Sequence, residues 1–238
     1  MRNRVLAFVA GCLCLTTSSG WAQTVVAAQP EIRNIVQLSA SATIEVPQDW
    51  LTLTLSTSRD GPDAAQVQTQ LKQALNDALT LAREQAQAGQ LEVRTGNFNL
   101  SPRHTREGRI STWQGRTELV LEGRDFARIA GVAGSITSLT IGGVQFSLSR
   151  EQATRVEADA QSVAIDRFKA KAGEIAKGFG FSGYGLREVS VNANDQGFVP
   201  RPRMMAMEAK SAMADAPVPL EAGKSTVIVT VSGSVQLQ

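Results

Sequence analysis

Between Val36 and Val46 every even position is apolar (Val36, Leu38, Ala40, Ala42, Ile44, Val46), while Gln37, Ser39, Ser41, Thr43 and Glu45 are all polar. A period of two sustained over that length turns one side of an extended strand to a core and the other to water. After a break at Pro47 to Trp50 the pattern resumes, with Leu51, Leu53 and Leu55 alternating with Thr52, Thr54 and Ser56. So short a break predicts that the two strands pair as a hairpin.

The period then switches. Pro62 suits a first helical turn, and Val67, Leu71, Ala74, Ala78, Ala82 and Ala86 recur at spacings of three and four, predicting a helix to about Gly89. Leu91 and Val93, then Phe98 and Leu100, belong to a strand whose apolar parity slips across Gly96, as a bulge there would cause. A polar loop from Pro102 to Arg109 leads to a strand through Trp113, Leu119 and Leu121. A shorter helix follows, carrying Phe126, Ile129, Ala133 and Ile136 on one stripe. Val144, Phe146 and Leu148 form a fifth strand, and Ser149 with Gln152 has capping-box spacing before the longest helix. The stripe of that helix reads Val156, Ala160, Val163, Ala164, Phe168, Ala172, Ile175, Phe179, and its charged residues fill the opposite face. Strands around Val189 and Val191 and from Val227 to Leu237 end the chain.

This order contains two strand–helix–strand–strand units, one around each long helix. One-sided alternation argues for an α+β fold: a mainly antiparallel sheet with two long helices and one shorter helix packed on it.

The N-terminus carries Arg2 and Arg4, an apolar run from Val5 to Leu15, and the small-residue pattern Gly20, Trp21, Ala22. This reads as a secretory signal over residues 1–22 cleaved after Ala22, followed by a flexible segment at 23–33 and a single domain at 34–238. Val9, Ala10, Gly11 and Cys12 also form a lipoprotein box, but the apolar stretch before Cys12 is short and continues through Leu13 and Leu15, which favours cleavage after Ala22. The expected product is periplasmic.

Cys12 and Cys14 are the two cysteines, so the processed chain would hold no thiol, and disulfides and thiol catalysis are excluded from it. Processing also removes two of 24 basic residues and none of the 22 acidic ones, leaving no net charge. Nucleic-acid binding needs a basic surplus that such a chain lacks.

Gly178, Gly180 and Gly183 match G-x-G-x-x-G, but they close a helix instead of opening one, so they read as helix-stop and turn residues and not as a phosphate cradle. His104 is the sole histidine. A two-histidine zinc site is impossible, and any serine–histidine–acid triad would have to use this residue. With Arg103, Arg106 and Arg109 beside it, His104 reads as part of a solvated turn, with a weak anion site as the alternative. Trp50 and Trp113 read as packing residues.

Residues 195–224 stand apart, with Pro200, Pro202, Pro217 and Pro219 and four of the five methionines: Met204, Met205, Met207 and Met213. A connection this long is functional or disordered. Its thioethers suit packing against a neighbouring subunit, reversible oxidation, or capture of a soft metal such as Cu(I).

Several segments together carry a likeness: Leu38 to Val46 with Pro47 and Asp49; VRTGNFNLSP at 93–102; IGGVQFSLS at 141–149 with the helix after it; PRPRMMAM at 200–207; and the strand after Gly223. In these the chain resembles the SIMPL-domain family of exported bacterial proteins, which includes a periplasmic immunogenic antigen and an oxidative-stress defence protein. The turn from Phe179 to Leu186 departs from the family's plainer one. The resemblance implies an α+β domain in the periplasm or at the outer membrane, in at least one relative assembled as a large ring, and it supplies no catalytic residues. The expectation is therefore a non-enzymatic homo-oligomer without cofactor, metal or nucleic-acid partner, peripherally associated with the outer membrane and assembled through sheet edges, the Ser/Thr-rich strand face or the methionine segment. A methionine oxidant sink or soft-metal binder is the alternative. An unrecognised carboxylate hydrolase is the lesser one, since acid pairs are legible only in three dimensions.

Overall fold

Ten elements follow one another in the computed structural model, which describes residues 33–194 and 220–238. They are β1 (Ile35–Pro47), β2 (Trp50–Gly61), α1 (Ala64–Glu84), β3 (Glu92–His104), β4 (Ile110–Gly123), α2 (Phe126–Ser135), β5 (Thr140–Ser147), α3 (Arg150–Gly178), β6 (Tyr184–Asn194) and β7 (Lys224–Leu237). The fold is α+β, but the strands divide into two antiparallel sheets, in the orders β3-β4-β2-β5 and β1-β7-β6. The signal sequence expected at residues 1–22, Cys12 and the four clustered methionines lie outside the described residues.

The alternation along β1 holds, with Leu38 and Ala42 buried and the odd positions exposed. The predicted hairpin with β2 does not form. β1 pairs with β7 over its whole length, whereas β2 lies between β4 and β5. The reason sits in the connection. Gln48 is buried; its backbone N–H donates to the carbonyl of Gly223 (3.0 Å), and its amide nitrogen donates to the carbonyl of Phe146 and to Ser225 Oγ. Those bonds tie the bend to the end of β5 and the start of β7, so the chain passes from one sheet to the other instead of folding back.

The first strand–helix–strand–strand unit is present as β2-α1-β3-β4 within one sheet. In the second, β5 leaves to pair with β2, and β1 takes its place beside β7. The order β6-β7-β1 then repeats β3-β4-β2, with a helix on one face of each.

α1 begins at Asp63, whose carboxylate accepts the N–H of Gln66, so Pro62 precedes the helix instead of occupying its first turn. Val67, Leu71, Ala74, Ala78 and Ala82 face the larger sheet, and the alanines let the helix approach closely. The resulting core joins Leu51, Leu53, Leu55, Leu119 and Leu121 to Ile129 and Ala133 of α2. A register shift between Thr95 and Phe98 marks the bulge expected at Gly96.

α3 covers the smaller sheet with Ala160, Ala164, Phe168, Ala172 and Ala176 over Val229, Val231, Val235 and Leu237. Two residues of its expected stripe are uncovered: Val163 is 40% exposed and Phe179 is 71% exposed. Phe179 is the C-cap, past the last turn. Val163 lies on the row of Arg167 and Lys171, which runs along the β1 edge and not over the sheet.

Candidate functional site

Ser149 caps α3, its hydroxyl accepting the N–H of Gln152 at 3.2 Å. The reciprocal half of the predicted capping box is replaced by a distant partner: Asp49 accepts the Ser149 N–H (2.7 Å) and the Ser149 hydroxyl (2.6 Å). Arg124, just after β4, donates to Ser149 Oγ (3.0 Å) and Glu151 (2.8 Å) and lies 3.6 Å from Asp49. Arg124, Ser149 and Glu151 line an open depression of about 730 Å³ together with Trp50, Glu92 and Glu122, and Asp49 lies behind Ser149.

The groups in this depression answer one another. The hydrogen bond from Arg124, then its charge and that of Arg155, hold the Glu151 carboxyl below its ordinary range, and the bond to Glu151 raises Arg124 in turn. A general acid needs the opposite displacement. The Ser149 proton is directed at Asp49 while its oxygen accepts from Gln152 and Arg124. His104 ends β3, 13 residues long, whose first residue Glu92 lines the depression, so the imidazole stands at the other end of a strand that spans up to about 40 Å. No triad joins Ser149, Asp49 and His104.

At that far end β3 runs on through Arg103, and two of the arginines near His104 have local partners. Arg103 donates to Gln114, and Arg109 pairs with Glu107. Trp113 is half-buried in β4, while Trp50 is half-buried at the rim of the depression. Gly178, Gly180 and Gly183 close α3, with Gly180 at a positive φ of 80° and Gly183 bonded to Gln238. Among the described residues no group of three or more histidine, cysteine or acidic side chains is placed to hold a metal, and no helix is long and apolar enough to cross a membrane.

The larger uncommitted surfaces belong to the sheets. The face of β1-β7-β6 opposite α3 is a grid of hydroxyls: Ser39, Ser232 and Ser190 align across the three strands, with Gln37, Ser234 and Glu188 in the next row. On the helix side, α3 meets the start of β6, where the Tyr184 hydroxyl donates to the carbonyl of Lys169, but leaves the rest of the strand partly uncovered. Leu186, Val189 and Val191 pair with Val235, Gly233 and Val231, so they share the core-facing side, yet they are 58%, 44% and 41% exposed. The edge strand β5 repeats this on the larger sheet, where Ile141 and Val144 oppose buried Leu55 and Leu53 but are themselves exposed. Val144, Val189 and Val191 are the strand residues expected from sequence; that no helix among the described residues covers them is not written in their period.

Asp49, Arg124 and Glu151 were not distinguishable as partners from sequence. Asp49 and Ser149 are 100 positions apart, and only the Ser149 cap had a local signal. No curated protein matches this chain. The family model SIMPL, described as a protein of unknown function (DUF541), matches residues 36–235, and the chain belongs to that family.

Proposed function

We propose that the protein is exported to the periplasm, where it acts without making or breaking bonds, as a homo-oligomeric assembly or interaction protein peripherally associated with the outer membrane. The observation that carries this reading is the pair of apolar rows on the edge strands β5 and β6, which face the core side of their sheets and stay partly exposed among the described residues. Exposed apolar edges invite pairing in an isolated subunit, and association buries them. The mutual satisfaction of Asp49, Arg124, Ser149 and Glu151 supports a structural role for the depression: it joins the α3 N-terminus to the bend between sheets. Light scattering over a concentration series of the processed protein tests the reading. A species well above monomer mass is expected, and a clean monomer at every concentration overturns it.

A second reading gives the chain a part in oxidative-stress defence. It is favoured by the four methionines between residues 204 and 213, whose thioethers oxidise reversibly.

A further inference from the structure

We infer that β6 is the strand through which two copies of this chain join, antiparallel and about a two-fold axis, forming one six-stranded sheet. This rests on the assembly reading above and names its interface.

The two sheets have four edges, and three are blunted. On β1, Arg167 donates to the carbonyl of Ser41 (2.8 Å) and Lys171 to that of Ser39 (3.0 Å). These carbonyls are two residues apart and so share a direction on the strand; cations occupy them in place of another strand's amides. β3 is broken by two register shifts and carries Pro102, which has no N–H to offer. β5 has only eight residues and a register shift at its glycine pair, Gly142 and Gly143. β6 has one register shift, between Leu186 and Glu188, but beyond it runs in regular register to Asn194, without proline and with no capping side chain among the described residues.

The sequence of β6 is suited to pairing with itself. Antiparallel partners directly opposite one another point to the same face. Centred on Ser190, the pairing sets Val189 of each copy against Val191 of the other and continues the apolar row across the axis. Glu188 then meets Asn192, so no like charges oppose. The capped β1 edges end the sheet on both sides, which makes the union a closed dimer instead of a growing ribbon.

The test is a cysteine cross-link. In a chain with Cys12 and Cys14 changed to serine, Ser190→Cys supplies the one thiol. Two such residues facing each other across the axis have Cα atoms about 4.5–5.5 Å apart, within disulfide reach. Under mild oxidation Ser190→Cys is expected to form covalent dimers on the order of tenfold faster than Ser41→Cys on the capped edge, because assembly raises its effective concentration. Val191→Lys, with unchanged circular dichroism, is expected to lower the assembly mass. Equal cross-linking at both positions, or an assembly untouched by Val191→Lys, overturns this interface while leaving oligomerisation standing. A monomeric wild type overturns both. Cross-linking of Ser190→Cys only after removal of residues 196–218 assigns the edge to that segment and also overturns the pairing.

Discussion

Thr117 lies in β4 beneath α1, fully buried, and its hydroxyl has no hydrogen-bond partner among the described residues. Replacing it with valine keeps the branched shape and removes the stranded polar atom. A buried unsatisfied hydroxyl costs about 1–3 kcal/mol. The methyl that replaces it adds up to about 0.8 kcal/mol of apolar burial. Thr117→Val should therefore stabilise the protein by about 1–4 kcal/mol. For a domain of this size each kcal/mol raises the melting temperature by about 2–4 °C. Thr117→Ser is the control: it keeps the hydroxyl, loses the buried methyl, and should cost about 1 kcal/mol. Urea unfolding followed by circular dichroism measures both, with an unchanged slope showing that the same surface is exposed on unfolding. A valine variant no more stable than wild type would refute the reasoning, because the hydroxyl would then have a partner in solution.

Acid should act through Asp125 and Glu151. The backbone and side-chain bonds from Arg128 hold Asp125 below its ordinary range, and Arg124 does the same for Glu151. Groups depressed in the folded state stabilise it above their unfolded pKa, and that contribution is lost as pH falls through the folded value. The urea midpoint should fall below about pH 4, less steeply in Asp125→Asn with Glu151→Gln; parallel curves would contradict this. Removing the β1 caps by Arg167→Ala with Lys171→Ala should yield species larger than wild type in sedimentation, as the freed edge accepts further strands. Changing Met204, Met205, Met207 and Met213 to leucine should abolish any peroxide protection the protein gives cells, with unchanged survival rejecting the oxidant-sink reading.

Element type was largely legible because periods of two and of three to four are local properties. Strand partnership was not. β1 and β2 carry the same alternation and are nearly adjacent, yet Gln48 sends them to different sheets through bonds to Phe146 and Ser225. The Ser149 cap could be read from its spacing to Gln152, whereas Asp49 and Arg124 reach it from distant chain positions. Val189 and Val191 read like buried strand residues, since burial depends on how far α3 extends across the sheet and not on their own sequence. The same limit explains Val163: its place in the helical stripe was close to right, but one step round the helix turns it to the β1 edge.

An exported subunit that works by joining its own kind must be both processed and assembled in the cell. Native mass spectrometry of the protein recovered from cells expressing the full 238-residue chain measures processing and assembly together. The predicted result is a subunit beginning at Gln23, present in assemblies of even copy number. A monomer at every concentration, or a subunit that still carries residues 1–22, would contradict it.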